Sequence, residues 1–84
     1  MLYVYKLTLT APRLEHAFQR VSEAPRVASC SIEVGENQVR FLAPERDGAA
    51  LVERIYAEGG LVWCSRHAFP VAASEQRSPL AGVR

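Results

Sequence analysis

The spacing of apolar residues along this chain switches between two and three-to-four, and the switches lay out the order β-α-β-β-α-β. Leu2 to Thr10 is rich in β-branched, aromatic and Thr residues and reads as a first strand. Both of its alternating sets are apolar at the start: Leu2 and Val4 on one side, Tyr3, Tyr5, Leu7 and Leu9 on the other. A central strand covered on both faces reads this way, and which set faces inward stays open. A helix follows, with Thr10 as N-cap and Pro12 in the first turn. Leu14, Ala17, Phe18 and Val21 form one apolar stripe, and Pro25 closes the helix.

Arg26 to Gly35 alternates, with Val27, Ser29, Ser31 and Glu33 on the wet side and Ala28, Cys30, Ile32 and Val34 on the buried side. Gly35-Glu36-Asn37 is a tight turn, and the chain returns through Gln38 to Ala43, so the two strands form a hairpin. Pro44 ends the third strand, and Asp47 is the expected N-cap of a second helix. The apolar residues of that helix are Leu51, Val52 and Ile55, with Tyr56 beside them, and it stops at Gly59-Gly60. Arg54 and Glu58 are expected to form an exposed pair on it. The fourth strand, Leu61 to Val71, contains Pro70, which suits an edge.

This order predicts an α+β fold, the ferredoxin-like split βαβ arrangement: a four-stranded antiparallel sheet in the order 4-1-3-2 with two helices on one face. Residues 1–73 form the single domain, and 74–84, without periodicity, form a flexible C-terminal tail.

Composition narrows the function by exclusion. With 49% hydrophobic and 23% charged residues, the 84-residue chain is ordinary for a globular domain. Ten basic against nine acidic side chains leave a net charge of +1, so no overall field draws in nucleic acid or an anionic membrane. With Met1 leading straight into the first strand, no signal peptide is expected, and no apolar stretch is long enough to span a bilayer. Two cysteines are too few for a secreted disulfide framework, so a cytoplasmic setting is expected. On opposite edge strands, three inter-strand steps of about 4.8 Å apart, Cys30 and Cys64 cannot bridge.

Candidate chemistry is sparse. Cys64 and His67 have C-x-x-H spacing, but residues three apart on a strand face opposite ways, and no further ligands stand nearby. No C-x-x-C exists, which excludes the metallochaperones of this topology; no nucleophile elbow, Gly-rich phosphate loop or acylphosphatase motif is present. No catalytic, cofactor or metal residues are assigned, and no cofactor is expected. His67 and Trp63 leave a small dimeric oxygenase-like enzyme, with a pocket between helices and sheet, as one alternative.

Two resemblances carry more. Leu2-Tyr3-Val4-Tyr5-Lys6-Leu7 resembles the strand-one motif of RNA-recognition domains, although only Phe41 matches the strand-three motif. It implies single-stranded nucleic-acid binding through Tyr3, Tyr5 and Arg40. From Tyr3 to Ala68 the chain also resembles the accessory domain that follows the nucleotide-binding domain of bacterial ABC exporter ATPases. That resemblance rests on Pro25-Arg26-Val27-Ala28-Ser29-Cys30-Ser31-Ile32-Glu33-Val34-Gly35 and Leu51-Val52-Glu53-Arg54-Ile55-Tyr56-Ala57-Glu58-Gly59-Gly60-Leu61-Val62. It implies a regulatory or docking role. The expectation that follows is a non-catalytic interaction module, a homodimer or a subunit of a larger protein. Its contacts would be Tyr3, Tyr5, Arg40, Phe41, Leu42 and Trp63 on the open sheet face.

Overall fold

The computed structural model describes residues 1–69. Its elements are β1 (Leu2–Leu9), α1 (Ala11–Ser22), β2 (Ser29–Glu33), β3 (Gln38–Pro44), α2 (Glu45–Glu58) and β4 (Leu61–Ala68). A short 3-10 turn, Val34–Glu36, joins β2 to β3. The four strands form one antiparallel sheet in the order β2-β3-β1-β4. This is the expected ferredoxin-like fold. The domain limit at 73, the tail beyond it and Pro70 lie outside the described residues.

The hairpin turn works because Asn37 adopts the left-handed conformation, φ 53°, which asparagine tolerates better than most residues. Helix α1 carries its stripe as expected: Leu14, Ala17 and Val21 are buried, and Phe18 is half-buried at the margin. Thr10 sits at the N-cap position, but its side chain makes no capping bond; its N–H donates to the Gly60 carbonyl at 2.8 Å instead. Asp47 is not the cap of α2. The helix starts three residues earlier, directly after Pro44, which leaves Glu45 and Asp47 in the first turn, where negative charge is favourable. Gly59 and Gly60, both at φ 92°, end it.

The core lies between the sheet and the two helices. Tyr5, Leu7 and Leu9 of β1 and Val39, Phe41 and Ala43 of β3 pack against Leu14, Ala17 and Val21 of α1 and Leu51 and Ile55 of α2. Tyr5 and Phe41 are opposite each other in register, and their rings stack at 4.8 Å with planes 7° apart. The Tyr5 ring lies against the backbone of α2 at Gly48, where even a methyl group would overlap it. The Tyr5 hydroxyl donates to the Glu45 carbonyl at 3.0 Å, which satisfies its one buried polar atom. Burial pushes this hydroxyl's pKa up, and the neighbouring Arg66 guanidinium acts against that shift.

A polar clasp holds the helices together. Arg20 donates to Glu58 at 2.6 Å, His16 lies 3.2 Å from the same carboxylate, and Arg13 donates to the Glu58 carbonyl at 3.2 Å. The pair expected between Arg54 and Glu58 does not form, because Glu58 turns to α1. Partial burial would raise the Glu58 pKa, but Arg20 and then His16 outweigh it and hold the carboxyl below its ordinary range.

Candidate functional site

The phase of the two central strands decides which residues reach the side of the sheet away from the helices. Residues alternate between faces along a strand. With Tyr5, Leu7, Val39 and Phe41 in the core, the open face receives Leu2, Val4, Lys6 and Thr8 from β1 and Gln38, Arg40 and Leu42 from β3. Cross-strand pairing arranges them in rows. One row runs Ser29, Leu42, Val4, His67; the next runs Ser31, Arg40, Lys6, Ser65; the third runs Glu33, Gln38, Thr8, Trp63.

These rows give the face an apolar patch and a cationic stripe. Val4 and Leu42 are half-buried neighbours, and Phe69 lies beside them at the end of β4. Together with Ser29, Ser31 and Arg40 they line a shallow hollow of about 220 Å³. Trp63, 57% exposed, stands at the opposite end of the face. Lys6 and Arg40 sit directly opposite each other, and neither belongs to an ion pair among the described residues. Arg40 donates only to the Gln38 side chain, at 3.4 Å. Like charges placed opposite on a sheet cost stability, so this arrangement is not explained by folding.

Of the residues expected to form an interaction surface, the structure brings three to the open face: Arg40, Leu42 and Trp63. Tyr5 and Phe41 belong instead to the core, at 3% and 2% exposure, and this corrects their assignment. Tyr3 is half-buried on the helix side. Arg66 covers its ring at 4.9 Å and bonds Glu45 at 2.7 Å, so Tyr3 is also removed from the open face. The sequence already held the signal for this correction. Lys6 and Arg40 are central in their strands and cannot be buried without partners, which forces the even-numbered set of both strands outward. Val4, Lys6 and Phe69 are the surface residues that the expectation missed.

The correction removes the aromatic platform that nucleic-acid recognition would use. Single-stranded RNA modules of this topology stack bases on aromatics of the two middle strands. Here those strands present Val4, Lys6, Thr8, Gln38, Arg40 and Leu42 to the open side. The pocket between helices and sheet that an oxygenase-like enzyme would need is filled by Leu7, Phe41, Val39 and Ile55. Cys64 and His67 fall on opposite faces of β4, and no cluster of metal-ligating side chains occurs among the described residues. No described helix is long and apolar enough to cross a membrane.

The architecture has solved counterparts. The solution structure of the E. coli Tat proofreading chaperone protein NapD superposes with a TM-score of 0.63 and 8% identity, covering 100% of this chain and 92% of NapD. The crystal structure of TTHA0845 from Thermus thermophilus superposes with a TM-score of 0.58 and 16% identity, covering 83% of this chain and 99% of that one. Identities this low establish a shared fold. No protein-family model matches the sequence, and no curated protein does.

Proposed function

We propose that this domain is a non-catalytic docking module that binds a segment of another protein on its open sheet face. The observation that carries the reading is the make-up of that face: an apolar hollow at Val4, Leu42 and Phe69, edged by Lys6 and Arg40, two cations without an ion pair among the described residues. Antiparallel sheets normally give water a polar face. Apolar area flanked by polar groups is the arrangement of an interface. The charge further selects the partner: a segment with apolar anchors and nearby Asp or Glu is attracted, whereas an arginine-rich one is repelled.

NapD, which shares the fold, is a proofreading chaperone and so a protein that acts on other proteins. The resemblance to exporter accessory domains implies docking as well. A cytoplasmic setting is part of this proposal.

The test is a paired capture from cell extract with the wild-type domain and with Leu42→Asp, whose fold is checked by circular dichroism. The reading expects at least one protein held by the wild type and lost from the variant. Partners retained equally by both would move docking off this face and overturn it. Single-stranded RNA, titrated at low salt, is expected not to bind; binding that Arg40→Glu abolishes would favour the nucleic-acid reading instead.

A further inference from the structure

The two edges of the sheet are not equivalent. Strand β2 has five residues, packs beneath α1 and ends in the 3-10 turn. Strand β4 has eight, and its exposed residues fall on both faces. Val62 and Trp63 are 65% and 57% exposed, and Cys64 is exposed as well. Among the described residues nothing pairs with the outer edge of β4, and a long open edge with apolar side chains is what soluble proteins avoid unless something pairs with it.

The hydrogen-bond phase of this edge can be read directly. The Phe69 N–H donates to the Leu2 carbonyl at 2.9 Å, so Leu2 and Phe69 are a hydrogen-bonded pair. Such pairs alternate along an antiparallel ladder, which puts Val4/His67, Lys6/Ser65 and Thr8/Trp63 in the same class. The Leu9 N–H donating to Asn37 at 2.9 Å confirms the phase, because odd-numbered β1 residues then bond toward β3. The backbone groups of Cys64 and Arg66 therefore point outward from β4, unpaired among the described residues.

We infer that a second copy of this chain pairs with this edge, β4 against β4 in antiparallel register about a two-fold axis at Ser65. The register follows from elimination. Directly opposed residues must share their hydrogen-bonding class, so the axis passes through a residue, and Cys64, Ser65 and Arg66 are the central choices. An axis at Cys64 runs into the irregularity where Val62 has no partner on β1. An axis at Arg66 sets two guanidinium groups face to face, which is unfavourable. An axis at Ser65 places Cys64 opposite the second copy's Arg66 and Trp63 opposite its His67. The two Cys64/Arg66 pairs supply the intermolecular main-chain hydrogen bonds, and indole–imidazole stacking covers the exposed Trp63. The result is an eight-stranded sheet whose two open faces are continuous.

Cross-linking tests the register. In a Cys30→Ser, Cys64→Ser background, Ser65→Cys should oxidise to a covalent dimer, because non-hydrogen-bonded opposed residues lie about 4.5 Å apart at Cα, within the range of a disulfide. Wild-type Cys64 sits diagonally across the axis from its copy and should cross-link poorly. Cys64→Pro removes an outward donor from each copy and leaves pairing to β1 intact, so it should weaken dimerisation by about ten- to thirtyfold with the spectrum of the fold unchanged. A wild-type protein that stays monomeric by light scattering at high micromolar concentration would overturn the inference. Cross-linking strongest at Cys64 or at Arg66→Cys, dimerisation indifferent to Cys64→Pro, or an extended peptide taking the edge of a monomer would each do the same.

Discussion

The two faces of the sheet are built from the same two central strands, yet they obey different rules. On the covered face, every side chain from β1 and β3 between Tyr5 and Leu9 and between Val39 and Ala43 finds a close apolar partner, and the buried Tyr5 hydroxyl is satisfied. On the open face, Lys6 opposes Arg40, and Val4 and Leu42 lie half-covered. One face is optimised for packing; the other accepts charge repulsion and wet apolar surface. Under the proposed docking role, a difference of this kind between adjacent residues on one strand separates what folding requires from what binding would select.

Mutations should separate the faces most sharply at Phe41, whose ring is buried and stacked on Tyr5. Phe41→Ala should cost about 3–5 kcal/mol by denaturant titration, whereas its open-face neighbour Leu42→Ser should cost far less. A comparable loss at both positions would break the comparison. Phe18, half-buried at the margin of the core, should fall between the two.

Gly48→Ala is expected to destabilise by about 1–3 kcal/mol, although alanine is the better helix former by about 1 kcal/mol. The cause is overlap with the Tyr5 ring. In a Tyr5→Leu background the penalty should shrink or change sign; an undiminished penalty there would show that the contact is not its source.

Tyr5→Phe should cost about 1 kcal/mol through loss of the bond to the Glu45 carbonyl. Because the hydroxyl's pKa is raised in the fold, its neutral form contributes stability that is complete below the ordinary tyrosine range and lost as pH rises through the folded value. The variant should accordingly show a flatter alkaline limb in thermal melts.

Glu58 behaves in the opposite sense. Its carboxyl is held below the ordinary range, so its contribution is present above the unfolded carboxylate pKa and disappears as pH falls through the folded value. Glu58→Gln should melt lower than wild type at neutral pH and converge with it in acid. Parallel curves at all pH values would dissolve the helix clasp as an electrostatic device.

The smallest effect is the most telling for the open face. Arg40→Glu should leave stability unchanged or raise it by about 0.2–1 kcal/mol, since it replaces a like-charge opposition with an attraction to Lys6. It should at the same time weaken capture of an acidic partner segment. A gain of stability with loss of binding would place the cost of Lys6 and Arg40 on the side of function.

The sequence by itself determined the element order and the helix stripes, because local periodicity depends on residues near one another in the chain; the strand order came with the fold which that element order implies. It also contained the phase of β1 and β3, in the single fact that Lys6 and Arg40 need water. Adjacent residues cannot share a face, so grouping Arg40 with Phe41 on one surface was already excluded by alternation. What only the tertiary structure decided was partnership across long separations. Glu58 leaves Arg54 for Arg20, His16 and Arg13 because α1 crosses its end of α2. Gly48 is required by a ring that arrives from β1, and among the described residues the outer edge of β4 has no strand beside it because β4 ends the sheet order. These features depend on where the elements meet in space, and no pattern within a single element records that meeting.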